Sequence, residues 1–227
     1  MTQEIPNTTL EIIKSRRSVR GFLPKAVEPE LIRAILDAAR SAPSGSNMQP
    51  WHVHVVSGTT RNLLATALCQ AHANANPGQR EYQYYPTEWR SPYIERRRAN
   101  GWGLYSALGI AKTDKQAMHR QHGKNYDFFG APVVMLFTID NDLHHGSWLD
   151  YGMFIQTVML AARAVGLHSC PQAAIANYPG IVKGLLNIPA DQTLICAVAL
   201  GYEDTAEPAN AFRASRQEID EFTVFHT

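Results

Sequence analysis

Three arginines fall within five residues near the start of the chain, in Arg16-Arg17-Ser18-Val19-Arg20. A guanidinium fork matches phosphate oxygens two at a time, and the Ser18 hydroxyl adds another donor. The same run also describes a solvated helix end, where cations favour the dipole. A second segment is Ala42-Pro43-Ser44-Gly45-Ser46-Asn47-Met48-Gln49-Pro50-Trp51. Its small residues let backbone amides approach a ligand, and Asn47 and Gln49 can read the polar edge of a planar ring. An ordinary helix-to-strand loop has the same composition. The third is Ser169-Cys170-Pro171-Gln172-Ala173-Ala174, followed in the tail by Arg213 and Arg216. Pro171 there removes a backbone donor and stiffens what reads as a loop. Each segment is ambiguous by itself.

Regular elements must hold these segments. Thr8 and Glu11 have capping-box spacing, so a first helix carries Leu10, Ile12 and Ile13 towards Arg16. Pro29 suits the first turn of a second, whose apolar face is Leu31, Ile32, Ile35, Leu36 and Ala39. His52 to Val56 alternates as a strand that stops at Ser57-Gly58, and a third helix covers Thr60 to about Ala73. Val133 to Ile139 and Thr193 to Leu200 are nearly continuous apolar strands, with a long buried helix from Trp148 to Val165. Such strands are covered on both faces, which implies a central sheet between helical layers. Residues 74–127 break the pattern with scattered prolines, clustered aromatics and Arg96-Arg97-Arg98; they read as a cap inserted over something. From Ala206 the chain is polar and ends amphipathically over Ile219 to Phe225. One domain spans 1–227, with 206–227 as its C-terminal extension.

Composition narrows the function. The 227 residues are 45% hydrophobic and 18% charged, with a net charge of +1, so neither nucleic acid nor an anionic membrane is an expected partner. Trp148 to Leu167 includes Asp150, Gln156 and Arg163 and is no membrane span. The polar N-terminus is unlike a signal peptide. Cys69, Cys170 and Cys196 form no CxxC pair and suit buried thiols in a reducing cytoplasm. The histidine pairs His119/His122, His144-His145 and His52/His54 lack an obvious carboxylate ligand pattern, so no metal is expected. Gly101-Trp102-Gly103 does not complete a GxGxxG turn, so a nicotinamide nucleotide would visit as a substrate.

Taken together, Arg-Arg-Ser-x-Arg, Ala-Pro-Ser-x-x-Asn-x-Gln-Pro-Trp and Gly-Leu-x-x-Cys-Pro-Gln resemble the nitroreductase family, from about Leu10 to the C-terminus. Tyr93, Arg96 to Arg98, Gly101, Leu104 to Gly109 and Phe128-Phe129-Gly-Ala-Pro resemble its bacterial nitrobenzoate-reducing branch. The resemblance implies an α+β three-layer sandwich with a mixed or antiparallel central sheet, and a domain-swapped homodimer with FMN at its interface. It implies that Arg16, Arg17 and Ser18 hold the FMN phosphate and that Arg20 lies by the flavin N1 and C2 carbonyl. Pro43, Ser44, Gly45, Asn47 and Gln49 would come from the other subunit or flank the ring, Pro171 and Gln172 would approach its opposite edge, and Arg213 or, preferably, Arg216 would return to the phosphate. Activity would be a ping-pong transfer from NADPH or NADH to a small nitroaromatic, with the flavin doing the chemistry and no catalytic side chain required.

The cap is where acceptor specificity is expected. Trp89, Tyr93 and Trp102 can stack on an aromatic acceptor, and Arg96, Arg97 or Arg98 can pair with a substrate carboxylate or the nicotinamide dinucleotide's phosphate, with Arg97 the candidate taken forward. The alternative is aromatics that pack on one another and arginines that face solvent. Two other activities of the same fold are open: reductive dehalogenation, although Glu81-Tyr82 has no matching lysine at the expected distance, and quinone or flavin reduction. A non-catalytic flavin-binding module is the reading from another class.

Overall fold

The computed structural model describes residues 8–227. Thr8 caps helix α1 (Thr9–Ser15): its hydroxyl accepts from the Glu11 amide while Glu11 accepts from the Thr8 amide. Helix α2 (Pro29–Ala39) opens on its proline and buries Ile35 and Ala39. A short 3-10 turn, Gly45–Asn47, leads into strand β1 (His52–Ser57). Then come α3 (Gly58–Ala73), α4 (Tyr93–Ala107), α5 (Lys115–Gly123), β2 (Val133–Asp140), α6 (His145–Ala164), β3 (His168–Gln172), α7 (Pro179–Leu186) and β4 (Gln192–Gly201).

The four strands form one sheet in the order β1-β2-β4-β3, antiparallel at every pairing. Side chains alternate across it, because successive Cβ atoms of a strand point to opposite faces. Val134, Leu136, Ala197 and Ala199 point to one layer, with Leu64 and Leu68 of α3 and Val182 of α7. Met135, Phe137, Val198 and Leu200 point to the other, with Ile35 of α2 and Phe154, Val158 and Ala162 of α6. Between Phe137 and Thr138 the β2–β4 register slips by one, and Ile195 and Cys196 then face the same layer. The architecture is the expected three-layer α+β sandwich.

Three segments differ from the reading of the sequence. Ser169 to Gln172 belongs to strand β3, not to a loop. The strand lies at the sheet edge, where a proline's missing N–H costs no ladder bond, and Pro171 is exposed there. Helix α7 follows it. The amphipathic ending forms only a turn, Ile219–Glu221, and leaves Phe222, Val224 and Phe225 exposed. Residues 74–127 contain α4 and α5, and neither Tyr93–Ala107 nor its three arginines contributes a buried residue.

Candidate active site

Arg16 is the C-cap of α1, and the chain beyond it runs extended beside β3: Val19 donates its amide to the Ser169 carbonyl at 3.0 Å. The arginine segment is thus fixed to the sheet edge rather than left on a solvated helix end. From the far end of the chain, Asn210 clips the tail against it. Its buried side chain accepts from the Arg20 amide at 2.6 Å and donates to the Gly21 and Asp204 carbonyls at 2.8 Å each. Its own carbonyl accepts from Arg17 at 2.5 Å and from Arg213 at 2.6 Å.

A cavity of about 810 Å³ lies between these segments. Arg16, Arg17, Ser18, Arg20, Arg213 and Arg216 all line it, so six predicted cofactor residues converge from positions nearly two hundred apart. Lys14 and Arg163 add two cations, giving, among the described residues that line it, seven basic side chains against one carboxylate, Glu203. Burial, and then the neighbouring Arg216 charge, lower the pKa of Arg16, as expected for cations crowded together without matching anions.

Glu203 was not expected from the sequence. It is 4% exposed and forms an ion pair with Arg17. His168 lies 3.5 Å from its other oxygen, but burial and the charges of Arg163 and Arg17 push the imidazole down to about 4. The ring is therefore neutral at ordinary pH, and the contact is not an ion pair. Its buried Nδ1 has no partner among the described residues. Under the arginines, burial pushes the Cys170 thiol up to about 11, so it is an inert neighbour of Ser18 rather than a nucleophile.

The remaining predicted residues lie outside this cavity. Pro43, Gly45, Asn47 and Gln49 are exposed and Ser44 half-buried, on a loop where Ser46, Asn47 and Gln49 all have positive φ. Each such residue costs roughly 1–2 kcal/mol, so the loop is strained. Trp51 closes it by stacking on Phe154, centroids 4.6 Å apart. Gln172 turns inward: it is 2% exposed, and its Nε2 donates to the Asn125 carbonyl at 2.8 Å while Oε1 has no partner. It braces the 125–131 turn, where Phe128 and Phe129 also have positive φ.

The cap residues divide. Arg97 lies over the Trp89 ring at 4.6 Å, and Tyr93 receives Arg90 at 5.0 Å and Arg96 at 5.9 Å. Trp102 is five residues beyond Arg97, about 140° around the helix, and packs instead against Tyr105 and Lys112. Helix α4 reaches the arginine cavity through Asn100. Phe212 sits against Gly103 so closely that a Cβ there would fall 2.4 Å from its ring, which joins cap and tail into one wall. Glu81 is held by the Lys183 ammonium and accepts from the Leu194 amide at 2.9 Å. It ties the cap to α7 and β4 and is not displayed to a ligand.

No group of three metal-ligating side chains occurs among the described residues, and none of their helices is long and apolar enough to cross a membrane. The model of the Nitroreductase family matches residues 13–202. A 4-nitrobenzoate reductase of Pseudomonas putida is 41% identical over 94% of this chain and 93% of its own. A nitrobenzene nitroreductase of Ectopseudomonas oleovorans is 37% identical over 95% of each. The crystal structure of the FMN-dependent nitroreductase NfnB from Mycobacterium smegmatis, in complex with NADPH, superposes with a TM-score of 0.92 at 37% identity, covering 96% of this chain and 97% of that one.

Proposed function

Because the chain belongs to the nitroreductase family, we propose that it is an FMN-dependent oxidoreductase that uses NADPH or NADH to reduce small nitroaromatic compounds. The observation that carries this is the cavity that gathers, among the described residues, seven cations and one carboxylate from residues 14–20 and 203–216 and from Arg163 of α6. A phosphate dianion is the counter-charge such a site lacks. FMN bound there supplies two-electron transfer between the nicotinamide and the nitro group.

Arg16, Ser18 and Arg216 hold the phosphate. Arg17, engaged by Glu203 and the Asn210 carbonyl, adds charge from one side and fixes the tail. Arg20 would hold a positive charge towards the flavin's reducible end, which would favour the reduced cofactor. Pro43, Ser44, Gly45, Asn47 and Gln49 would flank the ring, Pro171 would border its other edge, and Gln172 would support that edge from beneath. No side chain is assigned as a general acid.

In the cap, Trp89, Tyr93 and Trp102 receive the aromatic acceptor. The Arg97 guanidinium lies over the Trp89 ring, and its N–H groups would pair with an acceptor carboxylate. The enzyme works as a homodimer. Leu149 (71% exposed) and Met153 on α6, and Phe222 and Phe225 in the tail, are exposed apolar side chains suited to burial against a second copy. Three free cysteines suit a cytoplasmic location.

The test is the visible spectrum of the purified protein, taken without oxygen. Flavin bands should bleach on adding NADPH or NADH and return on adding 4-nitrobenzoate. A protein that cannot be loaded with FMN overturns the assignment, and bound flavin that never bleaches leaves only a flavin-binding module.

A further inference from the structure

The loop from Ser44 to Gln49 holds three non-glycine residues at positive φ, a conformation that lasts only where its surroundings over-determine it. Within the loop, the Gln49 amide donates to Ser44 Oγ at 2.9 Å and Gln49 Nε2 to the Asn47 carbonyl at 3.2 Å. External support comes from successive residues of α6. Phe154 stacks on Trp51 with an interplanar angle of 9°, and the Tyr151 hydroxyl donates to the His52 carbonyl at 2.7 Å. Both fix the exit from the loop. At its entry, Asp150 Oδ2 accepts from the Gly45 amide at 3.0 Å. Among the described residues this is the only hydrogen bond from Gly45–Gln49 to another element, and it crosses 105 positions of sequence.

We propose that Asp150 is a positioning residue for the flavin site: its carboxylate holds the Gly45 amide and thereby sets where Asn47 and Gln49 stand against the ring. The proposal rests on the reading that this loop borders the flavin. A carboxylate accepting from a backbone amide makes a stronger bond than a neutral acceptor does. It is placed where the backbone is least able to hold its own shape. Leu149 and Met153 adjoin Asp150 on the exposed side of α6, so the tether lies where the proposed dimer seam passes. Asp150 acts on reactivity through the loop and not by touching substrate.

Asp150→Ala and Asp150→Asn separate this from a general structural role. In the FMN-loaded protein, Asp150→Ala should lower kcat/KM for both NADPH and 4-nitrobenzoate by about tenfold or more, because sub-ångström displacement at a reacting centre is costly. FMN affinity should stay within about threefold, since the arginine cavity that supplies most of it is elsewhere. Asp150→Asn, which keeps a side-chain oxygen acceptor, should recover most of the loss. In the flavin-free protein, hydrogen exchange at the Gly45 amide should accelerate in Asp150→Ala and not in Asp150→Asn. Turnover within twofold of the parent, or unchanged Gly45 exchange, overturns the proposal while leaving the flavoenzyme reading intact. Parallel losses of turnover, FMN affinity and Tm also overturn it, by reducing Asp150 to a structural residue. A parent protein that takes up no FMN overturns the functional reading itself and the proposal with it.

Discussion

Replacing Glu203 by Gln keeps its shape and removes the one carboxylate that stands among seven cations in the described lining of the cavity. Breaking a buried ion pair from one side usually costs about 3–5 kcal/mol, because the surviving charge stays buried. Here the survivor is Arg17, which remains 24% exposed and keeps its bond to the Asn210 carbonyl, while the carboxylate is 4% exposed. The expected loss is therefore smaller, about 2–3 kcal/mol. For a domain of this size each kcal/mol corresponds to roughly 2–4 °C, so the flavin-free variant should melt about 4–12 °C lower. The proper comparison is Asp37→Asn, which breaks the exposed Arg40–Asp37 pair (75% and 70% exposed). That change should cost at most about 1 kcal/mol. The assay is calorimetric unfolding of both flavin-free variants with and without inorganic phosphate. Phosphate should raise the melting temperature of both variants, since both keep the cation cavity, and by more in Glu203→Gln, where the cavity has also lost its carboxylate. Equal, small shifts in the two variants would refute the assignment of Glu203 as counter-charge, and absence of a phosphate effect would refute the anion site.

Other consequences are testable in the same preparations. His168 holds its proton less tightly when folded, at about 4 against an ordinary 6.5, so the unfolded chain binds the extra proton as pH falls. Stability should decline from about pH 6.5 towards 4 by up to about 3 kcal/mol; urea unfolding of His168→Gln should show a flatter pH dependence than the parent, and an identical slope would exclude His168 as its source. Arg16→Ala should weaken FMN binding by about 1.5–3 kcal/mol, roughly tenfold to a hundredfold, by fluorescence titration; unchanged affinity removes Arg16 from the phosphate site. Arg97→Ala should raise KM for 4-nitrobenzoate far more than for nitrobenzene, and equal effects would remove its carboxylate role. Gly101→Ala, with open space at its Cβ position, should stabilise α4 by about 0.5–1 kcal/mol, whereas Gly103→Ala meets Phe212 and should instead speed tryptic cleavage after Arg213 and Arg216. Equal cleavage rates would show that the tail does not depend on that contact.

What the chain revealed in advance depended on the range of its signals. β2 and β4 were readable because every second residue, and most of those between, had to be apolar to be covered twice. β3 was not, because His168-Ser169-Cys170-Pro171-Gln172 has no apolar period and is buried through edge pairing. Helix α4 was not legible, because it buries nothing and so leaves no stripe to read. In the site, the clustered arginines could be seen, since short motifs carry their own chemistry. Glu203, Asn210, His168, Asp150 and Asn125 could not. Each is a single polar residue whose importance comes from a partner far along the chain, such as Arg17 for Glu203 or Gln172 for Asn125. Gln172 stands in a legible motif, but its inward orientation follows from burial, which no local pattern records.

β1 and β2 are hydrogen-bonded neighbours, yet residues 58–132 separate them, and both cap helices belong to that excursion. Closing a loop becomes only slightly harder with length, about 0.6 kcal/mol for each doubling. The sheet therefore exerts little selective pressure on how long that excursion is, and dictates its composition mainly where α3 lays Leu64 and Leu68 against it. Descendants of such a scaffold can rewrite the cap while the register of Val133 to Ser57 stays untouched. Contacts such as Glu81–Lys183 and Gly103–Phe212 restrain that freedom: a transplanted cap must bring a compatible tail with it, so the two should be inherited, and engineered, as a unit.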